Sequence, residues 1–120
     1  MARLTLNWSD VLLYTQSNVN IHAPLSAGIY RLSCQRGDKR PVFYVGQAEN
    51  LHERLRNHLS DAELNGCIVR CLRRHTCYFR FASVARQADR DCVQRALYDH
   101  HNPECNEVAP PREPCDINFE

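Results

Sequence analysis

Apolar residues form two short runs in the first half of the chain, and a polar segment separates them. The first run spans about 27–34 and the second about 41–47, with glycine, aspartate and lysine between them. Runs of this length that are rich in β-branched and aromatic residues, joined by a polar loop, are typical of a β-hairpin. The pattern therefore predicts two antiparallel strands within 27–47.

Each predicted strand contains a tyrosine near a glycine. The first strand contains Gly28-Ile29-Tyr30 and the second contains Tyr44-Val45-Gly46. If the strands pair antiparallel, both tyrosines lie near one end of the sheet. Two phenols together, followed by an arginine-containing helix, suggest chemistry on a phosphodiester.

Leucines recur every four residues after the hairpin and predict an amphipathic helix. Asn50 is a suitable N-cap for it. Arg54 and His58 are also four residues apart, so they share the helix face beside the leucines. The buried stripe consists of Leu51, Leu55 and Leu59.

Further elements follow from the same patterns. We expect short helices over 8–14 and 67–72, a loop over 18–24, an alternating strand over 76–84, and a long helix over 85–101. The order indicates an α+β fold, a small antiparallel sheet with helices packed on it. The core face of the long helix is predicted to contain Val93, Ala96, Leu97 and His100.

Length and composition fit one soluble globular domain. The chain has 120 residues, of which 43% are hydrophobic and 24% are charged. No apolar run approaches the ~20 residues of a membrane span, so we expect no membrane association. The N-terminus lacks the pattern of a signal peptide, which predicts a cytoplasmic protein.

Seven cysteines are scattered along the chain. Their odd number and the absence of a signal-peptide pattern predict reduced thiols. Cys67, Cys71 and His75 are spaced four apart, with Cys77 nearby, and could share a helix face that binds zinc. That spacing does not match the paired Cys-x-x-Cys patterns of zinc sites, so a short capped helix is the favoured interpretation.

The basic residues are concentrated in the middle of the chain. Residues 31–80 contain ten Lys and Arg against five Asp and Glu, although the net charge of the whole chain is +1. A basic segment fits a surface that faces a polyanion, but a solvated surface of mixed charge explains the charge equally well. The candidates for contact with a DNA backbone are Arg70, Arg73, Arg74 and Arg80.

Taken together and in order, these motifs resemble the GIY-YIG nuclease family, in particular its small stand-alone bacterial members. The resemblance covers roughly residues 25–107. It divides the chain into an N-terminal helix and loop over 1–24, a nuclease domain over 25–107, and a proline-rich tail over 108–120 that we expect to be extended or loose. The matching positions are Gly28-Ile29-Tyr30, Tyr44-Val45-Gly46-Gln47, Arg54, His58, Pro103 and Asn106.

The resemblance implies a metal-dependent DNA endonuclease that cuts by in-line attack of water. It implies a mainly three-stranded antiparallel sheet flanked by helices, and one Mg²⁺ or Mn²⁺ ion per active site. It also implies that DNA is the partner, with specificity supplied by DNA structure, a homodimer or a partner protein. The residues implied around the scissile phosphate are Tyr30, Tyr44, Arg54, His58, residue 94 and Asn106.

One position departs from the family pattern. The metal-binding glutamate of the family falls on Gln94, and a family lysine falls on Gln47. Mg²⁺ is usually held by carboxylates, so a neutral amide should weaken its binding. Gln94 is either an engineered change that removes only the charge, which we favour, or a natural loss of activity, or a sign that Asp91 one turn earlier binds the metal instead.

The residue types suit phosphodiester hydrolysis. The planar guanidinium of Arg54 suits the phosphate oxygens. A free phenol with a pKa of about 10 is a poor base at neutral pH, so Tyr30 or Tyr44 needs help from Arg54, from metal-bound water or from His58. Asn106 could fix the metal carboxylate or the loop around it.

The sequence therefore predicts an endonuclease that is weakened or inactive because of Gln94. Two alternatives remain. One is a non-catalytic nucleic-acid-binding module with a degenerate nuclease fold. The other is an interaction protein that uses its arginine-rich helix to bind an acidic partner.

Overall fold

The computed structural model describes residues 3–119, which form six strands and four helices. The longer strands and helices follow the sequence prediction closely, with the hairpin, the helix after it and the long C-terminal helix all in their expected places. The elements are β1 (Arg3–Leu4), β2 (Leu12–Leu13), α1 (Gln16–His22), β3 (Gly28–Cys34), β4 (Val42–Ala48), α2 (Leu51–His58), α3 (Gly66–Arg74), β5 (Cys77–Ser83), α4 (Gln87–His101) and β6 (Asp116–Ile117).

An antiparallel sheet lies at the centre of the fold, with strands in the order β2-β5-β3-β4. Three of its strands were expected from the sequence. The fourth, β2, is a two-residue edge strand in which Leu12 pairs with Phe79 and Leu13 with Tyr78. The α+β class is confirmed, and the sheet has four strands rather than three.

Helices cover both faces of the sheet because alternate residues of each strand point to opposite sides. Tyr30 and Leu32 of β3 belong to the apolar cluster that packs under α1, α2 and α3. Ile29, the residue before Tyr30, belongs to the second apolar cluster, which packs against α4. Neighbouring residues of β3 therefore serve two different cores.

The N-terminal segment differs from its prediction. Residues 8–14 do not form a helix, because their backbone pairs with β5: the amide of Ser9 donates to the carbonyl of Phe81 at 2.8 Å, and that of Tyr14 to Cys77 at 2.8 Å. The helix lies later, in α1, where Thr15 caps it by accepting from the amide of Asn18. The loop predicted over 18–24 is therefore largely helical.

The core face of α4 is confirmed except at one end. Val93, Ala96 and Leu97 are buried. His100 is exposed, and its ring stacks on Phe119 at a centroid distance of 4.0 Å. The helix ends at Asn102, which adopts the left-handed conformation with φ of 48°.

The prediction of reduced thiols is wrong for four of the seven cysteines. Disulfide bonds join Cys67 to Cys105 and Cys92 to Cys115, across 38 and 23 residues of sequence. The spacing of cysteines along the chain does not show which of them meet in space. The third sulfur near the first bond, that of Cys71, lies within 4.8 Å of both bonded sulfurs. The proposed zinc set is not assembled, because Cys67 is bonded to Cys105.

The proline-rich tail is extended and is held against the body of the protein. Asp116 and Ile117 pair in parallel with Arg3 and Leu4. Ile117 is buried, and the Cys92–Cys115 bond ties the tail to α4. Across residues 3–119, no helix has the length and apolar character that crossing a membrane requires.

Candidate functional site

The second motif glycine lets a tyrosine pack directly on the neighbouring strand. Tyr30 pairs with Gly46 across β3 and β4. A Cβ atom at Gly46 would lie 2.4 Å from the hydroxyl oxygen of Tyr30 and 2.5 Å from its Cζ. Gly46 is therefore required by the close approach of the Tyr30 ring. The first motif glycine, Gly28, is equally confined, since a Cβ there would lie 2.3 Å from the carbonyl oxygen of Ala82.

A hydrogen-bonded chain links Tyr30 to α2 and to the segment after it. The Tyr30 hydroxyl lies 2.7 Å from Nε2 of His58, and Nδ1 of His58 lies 3.0 Å from Oε1 of Glu63. Tyr30 and His58 are buried. If Nδ1–H donates to Glu63, the neutral imidazole accepts the Tyr30 proton at Nε2, so this assignment satisfies both bonds.

The pKa values of both groups support this proton arrangement. Burial, and then the neighbouring Tyr44, raise the pKa of Tyr30 well above its usual value, although Arg54 opposes the shift. Burial lowers the pKa of His58, although Glu63 opposes this shift. Tyr30 is therefore a neutral phenol and His58 a neutral imidazole near pH 7.

Tyr44 and Arg54 lie between solvent and the hydrogen-bonded series of Tyr30, His58 and Glu63. Tyr44 is half-buried, with its ring centroid 5.4 Å from His58 and 6.1 Å from Tyr30. Tyr30 raises the pKa of the exposed Arg54 through hydrogen bonding, and Tyr44 adds to that shift. A cleft of about 450 Å³ is lined by Tyr44, Arg54, His58 and Glu63, among others. We call Tyr30, Tyr44, Arg54, His58 and Glu63 the tyrosine cluster.

Asn106 fixes the C-terminal loop to β4. Its Oδ1 accepts from the amide of Val45 at 2.9 Å, and its Nδ2 donates to the carbonyl of Val45 at 2.8 Å. The side chain thus replaces a neighbouring strand at this point of the sheet edge. The sequence left two roles open for Asn106, fixing the metal carboxylate or fixing the loop around it. The contacts of Asn106 support the second role, and they fix the backbone of β4 at Val45.

Residue 94 lies in a network of amide side chains. Nε2 of Gln47 donates to Oε1 of Gln94 at 2.9 Å and to Oδ1 of Asp91 at 2.9 Å. Gln87 donates to Oε1 of Gln47 at 2.7 Å and to Asp91 at 2.8 Å. Hydrogen bonding from Gln47 lowers the pKa of Asp91. We call Gln47, Gln87, Asp91 and Gln94 the glutamine cluster.

The glutamine cluster does not fit a divalent cation as it stands. The NH₂ group of Gln47 points at both oxygens, from Asp91 and Gln94, that a cation between them would need. Its orientation is set by Gln87, whose Nε2 donates to the opposite oxygen. Only Asp91 supplies a formal negative charge in this cluster, and Mg²⁺ is usually held by carboxylates. Asp91 does lie beside residue 94, as its spacing on the helix predicted.

The four candidate DNA-contacting arginines fall into two groups. Arg70, Arg73 and Arg74 are exposed on α3, and Arg73 lines a cleft with His58 and Glu63. Arg80 is separate from them: its Nε donates to the carbonyl of Ser9, and its guanidinium lies 5.7 Å from the Trp8 ring. The alternation of β5, with Phe79 and Phe81 in the core under the helices, already indicated this placement.

Sequence reasoning missed two residues of the site. Glu63, which orients His58, lies in the irregular segment between α2 and α3, where no periodicity marks a functional position. Gln87, which orients Gln47, lies in the first turn of α4, and its only sequence signal is its spacing of four and seven residues from Asp91 and Gln94.

Comparisons with known proteins agree with this geometry. Residues 26–104 match the sequence model of a family described as the GIY-YIG catalytic domain. No curated protein matches the chain.

The fold is similar to crystal structures of the GIY-YIG N-terminal endonuclease domain of UvrC from Thermotoga maritima. The magnesium-bound domain is 19% identical, with a TM-score of 0.58, over 76% of this chain and 93% of that chain. A tyrosine point mutant of the same domain, bound to its catalytic divalent cation, is 18% identical, with a TM-score of 0.60, over 78% and 94%. Because the family match covers more than half of the sequence and the fold agrees with it, this chain belongs to the GIY-YIG catalytic domain family.

Proposed function

We propose that this chain binds the phosphodiester backbone of DNA in the cleft beside Arg54 and hydrolyses it only weakly, because residue 94 is glutamine. The observation that supports the binding half is the tyrosine cluster, in which a solvent-facing arginine adjoins a phenol, an imidazole and a carboxylate in hydrogen-bonded order. The observation that supports the weak hydrolysis is the amide of Gln47 between Asp91 and Gln94.

The proposed roles follow from exposure and protonation. Arg54, which is exposed, binds the phosphate oxygens through its planar guanidinium. Tyr44, which reaches the cleft, orients the attacking water. The attacking water gives its proton to Tyr44 as the Tyr44 proton passes to Tyr30 and the Tyr30 proton passes to Nε2 of neutral His58. Neither phenol is left ionised, and Glu63 stabilises the imidazolium that forms. Tyr30 is fully buried, so it passes a proton within the cluster rather than touching the substrate.

We expect a divalent cation to bind in the Gln94→Glu variant rather than in the parent chain. When bound, Mg²⁺ or Mn²⁺ would stabilise negative charge on the leaving oxygen. The Gln94→Glu change would place a second carboxylate beside Asp91, and a pair of carboxylates suits a hard cation. The proposal that one ion occupies each active site therefore applies to that variant.

The test is nicking of supercoiled plasmid by Gln94→Glu with Mg²⁺ or Mn²⁺. We expect the variant to nick at least about 10-fold faster than the parent chain. The gain should disappear when Arg54→Ala or Tyr30→Phe is added. Equal cutting by the parent chain would contradict the account of residue 94 and make Asp91→Asn the next variant to test.

The second candidate function is a non-catalytic nucleic-acid-binding module. The hydrogen bonds of the glutamine cluster favour it, because Nε2 of Gln47 already donates to the oxygens of Asp91 and Gln94 that would face a cation. Tight, salt-sensitive DNA binding without cleavage by Gln94→Glu would establish it. No DNA binding at low salt would instead indicate an interaction protein with an acidic partner.

Specificity and location are also proposals. A homodimer or a partner protein would supply specificity for particular DNA sites, since the arginines of α3 suit backbone contacts rather than base contacts. The cytoplasmic location stays a prediction from the N-terminal sequence, and the two disulfide bonds are more typical of an oxidising compartment.

A further inference from the structure

A strongly basic cavity lies on the face of the sheet opposite Tyr30. Arg31 follows Tyr30 in β3, so the two side chains leave the strand in opposite directions. Three arginines and two histidines contribute to the lining of this cavity, whose volume is about 370 Å³. They are Arg31, Arg40, Arg80, His100 and His101.

Two of the arginines lie opposite each other on adjacent strands. Arg31 and Arg80 are direct cross-strand partners in the antiparallel pairing of β3 with β5. Like charges in this position destabilise a sheet. Trp8 compensates in part, since its ring centroid lies 4.7 Å from the guanidinium carbon of Arg31 and 5.7 Å from that of Arg80.

Within residues 3–119, no acidic side chain forms an ion pair with Arg31, Arg40 or Arg80. Among the described residues, none that lines the cavity is acidic. The hydrogen bonds of the arginines go to uncharged groups: Arg31 donates to the carbonyl of Phe119 at 2.8 Å and Arg80 to that of Ser9. A third guanidinium, that of Arg40, donates to the side-chain amide oxygen of Gln35 and stacks over a tyrosine ring.

A buried imidazole nitrogen also lacks a partner. Within residues 3–119, no hydrogen-bond partner meets Nε2 of His101, although the atom is buried. Burial, Arg31 and His100 lower the pKa of His101 to about 4. Burial and Arg80 lower the pKa of Arg31 to about 10, which still leaves it charged near pH 7.

We propose that this cavity, defined by Arg31, Arg40 and Arg80, is a binding site for a phosphate group. Several guanidinium groups that line one cavity suit a dianion with three acceptor oxygens, because a guanidinium can donate in a bidentate manner. A bound phosphate would offset the repulsion between Arg31 and Arg80 and would give the free nitrogen of His101 an acceptor once protonated. The site is independent of the proposed nuclease function, since it lies across the sheet from Arg54.

The phosphate can come from the end of a nucleotide or from a nucleic-acid backbone. Both sources offer the same oxygens to the arginines, but a backbone phosphate carries one negative charge and a terminal one carries up to two. A terminal phosphate would therefore raise the pKa of His101 more than a backbone phosphate does.

The test follows the imidazole NMR signals of His101 during titration with inorganic phosphate at constant ionic strength. We expect a saturable shift and a rise in the pKa of His101. Arg80→Gln and the exposed Arg40→Gln should each weaken phosphate binding about 10-fold or more. The matched control Arg54→Gln, whose arginine lies in the tyrosine cluster, should leave the His101 response unchanged.

Two further titrations separate the sources. A 5′-mononucleotide that binds better than an unphosphorylated oligonucleotide would assign the site to a terminal phosphate, and the reverse order would assign it to a backbone. No saturable response of His101 would overturn the proposal. So would a response that both Arg40→Gln and Arg80→Gln leave intact, because an adventitious ion elsewhere would then explain it.

Discussion

The tyrosine cluster and the glutamine cluster both include residues of β4, but their hydrogen-bonding groups and charges are arranged differently. Around Tyr30, donors and acceptors alternate from a phenol through an imidazole to the carboxylate of Glu63. Around Gln94, the single carboxylate of Asp91 accepts from the amides of Gln47 and Gln87, and the guanidinium of Arg112 lies 3.7 Å from its other oxygen. One cluster can shift a proton along its length, while the other is a closed set of hydrogen bonds. Under the proposed function, residue 94 is the position at which the fold is retained and the activity is lost.

We expect the largest loss of stability from Gly46→Ala, which would displace Tyr30 in the tyrosine cluster. The new Cβ would meet the Tyr30 ring at 2.4–2.5 Å, so the ring must move and its bond to His58 must lengthen. We expect a loss of about 2–3 kcal/mol of unfolding free energy, measured by urea denaturation. Gly66→Ala is the control, since its nearest neighbouring atom lies 3.9 Å away. Equal effects of the two variants would contradict this packing.

Tyr30→Phe removes only the hydroxyl. Nε2 of His58, which is buried, would then lose the donor that satisfies it. We expect a cost of about 1–2 kcal/mol in urea denaturation. Tyr78→Phe, in a half-buried ring that faces Arg40, is a control for the loss of a phenol hydroxyl and should cost less. A stabilising Tyr30→Phe would mean that the hydroxyl is not bonded to His58.

The pH dependence of stability should distinguish the two clusters. Because the folded pKa of His58 lies below its usual value of 6.5, the unfolded chain takes up a proton first, and stability falls as the pH drops below 6.5. His101, whose folded pKa is about 4, contributes in the same direction. Glu63→Gln removes a group that raises the pKa of His58, so it should steepen the loss. Urea midpoints at pH 7 and pH 5 measure this, and an unchanged slope in Glu63→Gln would contradict the His58–Glu63 contact.

The smallest effect is expected from Asp91→Asn in the glutamine cluster. The lowered pKa of Asp91 gives stability that is present above its usual value of 3.8 and is lost as the pH falls through the folded pKa. Its side chain is partly exposed, with 25% of its surface accessible, so solvent screens the loss of charge and we expect a change within about 0.5 kcal/mol at pH 7 in urea denaturation. A loss above about 1.5 kcal/mol would show that the glutamine cluster is a structural element of the fold.

Local signals in the sequence predicted much of the fold and part of the site. The four-residue spacing of Arg54 and His58 correctly predicted a shared face of α2, and the three-residue spacing of Asp91 and Gln94 predicted that they lie side by side on α4. Both results depend only on helix geometry. The chemical roles proposed for these residues remain predictions.

Features that depend on contacts between distant segments were not predictable. The strand β2 exists because Leu12 and Leu13 meet β5, which overrides the helical pattern of residues 8–14. Cys67 meets Cys105, 38 residues later in the sequence, because α3 packs beside the C-terminal loop in the folded chain. Glu63 has no local signal, because its function depends on the position of His58 in the folded chain.

The most direct test of the central claim is a calorimetric titration of the parent chain and of Gln94→Glu with Mn²⁺ and Mg²⁺. We expect no measurable binding to the parent chain and one bound ion per chain in Gln94→Glu. The control Gln16→Glu adds the same charge at the exposed start of α1 and should bind no ion. Equal binding of one ion by the parent chain and by Gln94→Glu would contradict the claim that the uncharged side chain of residue 94 separates this fold from its activity.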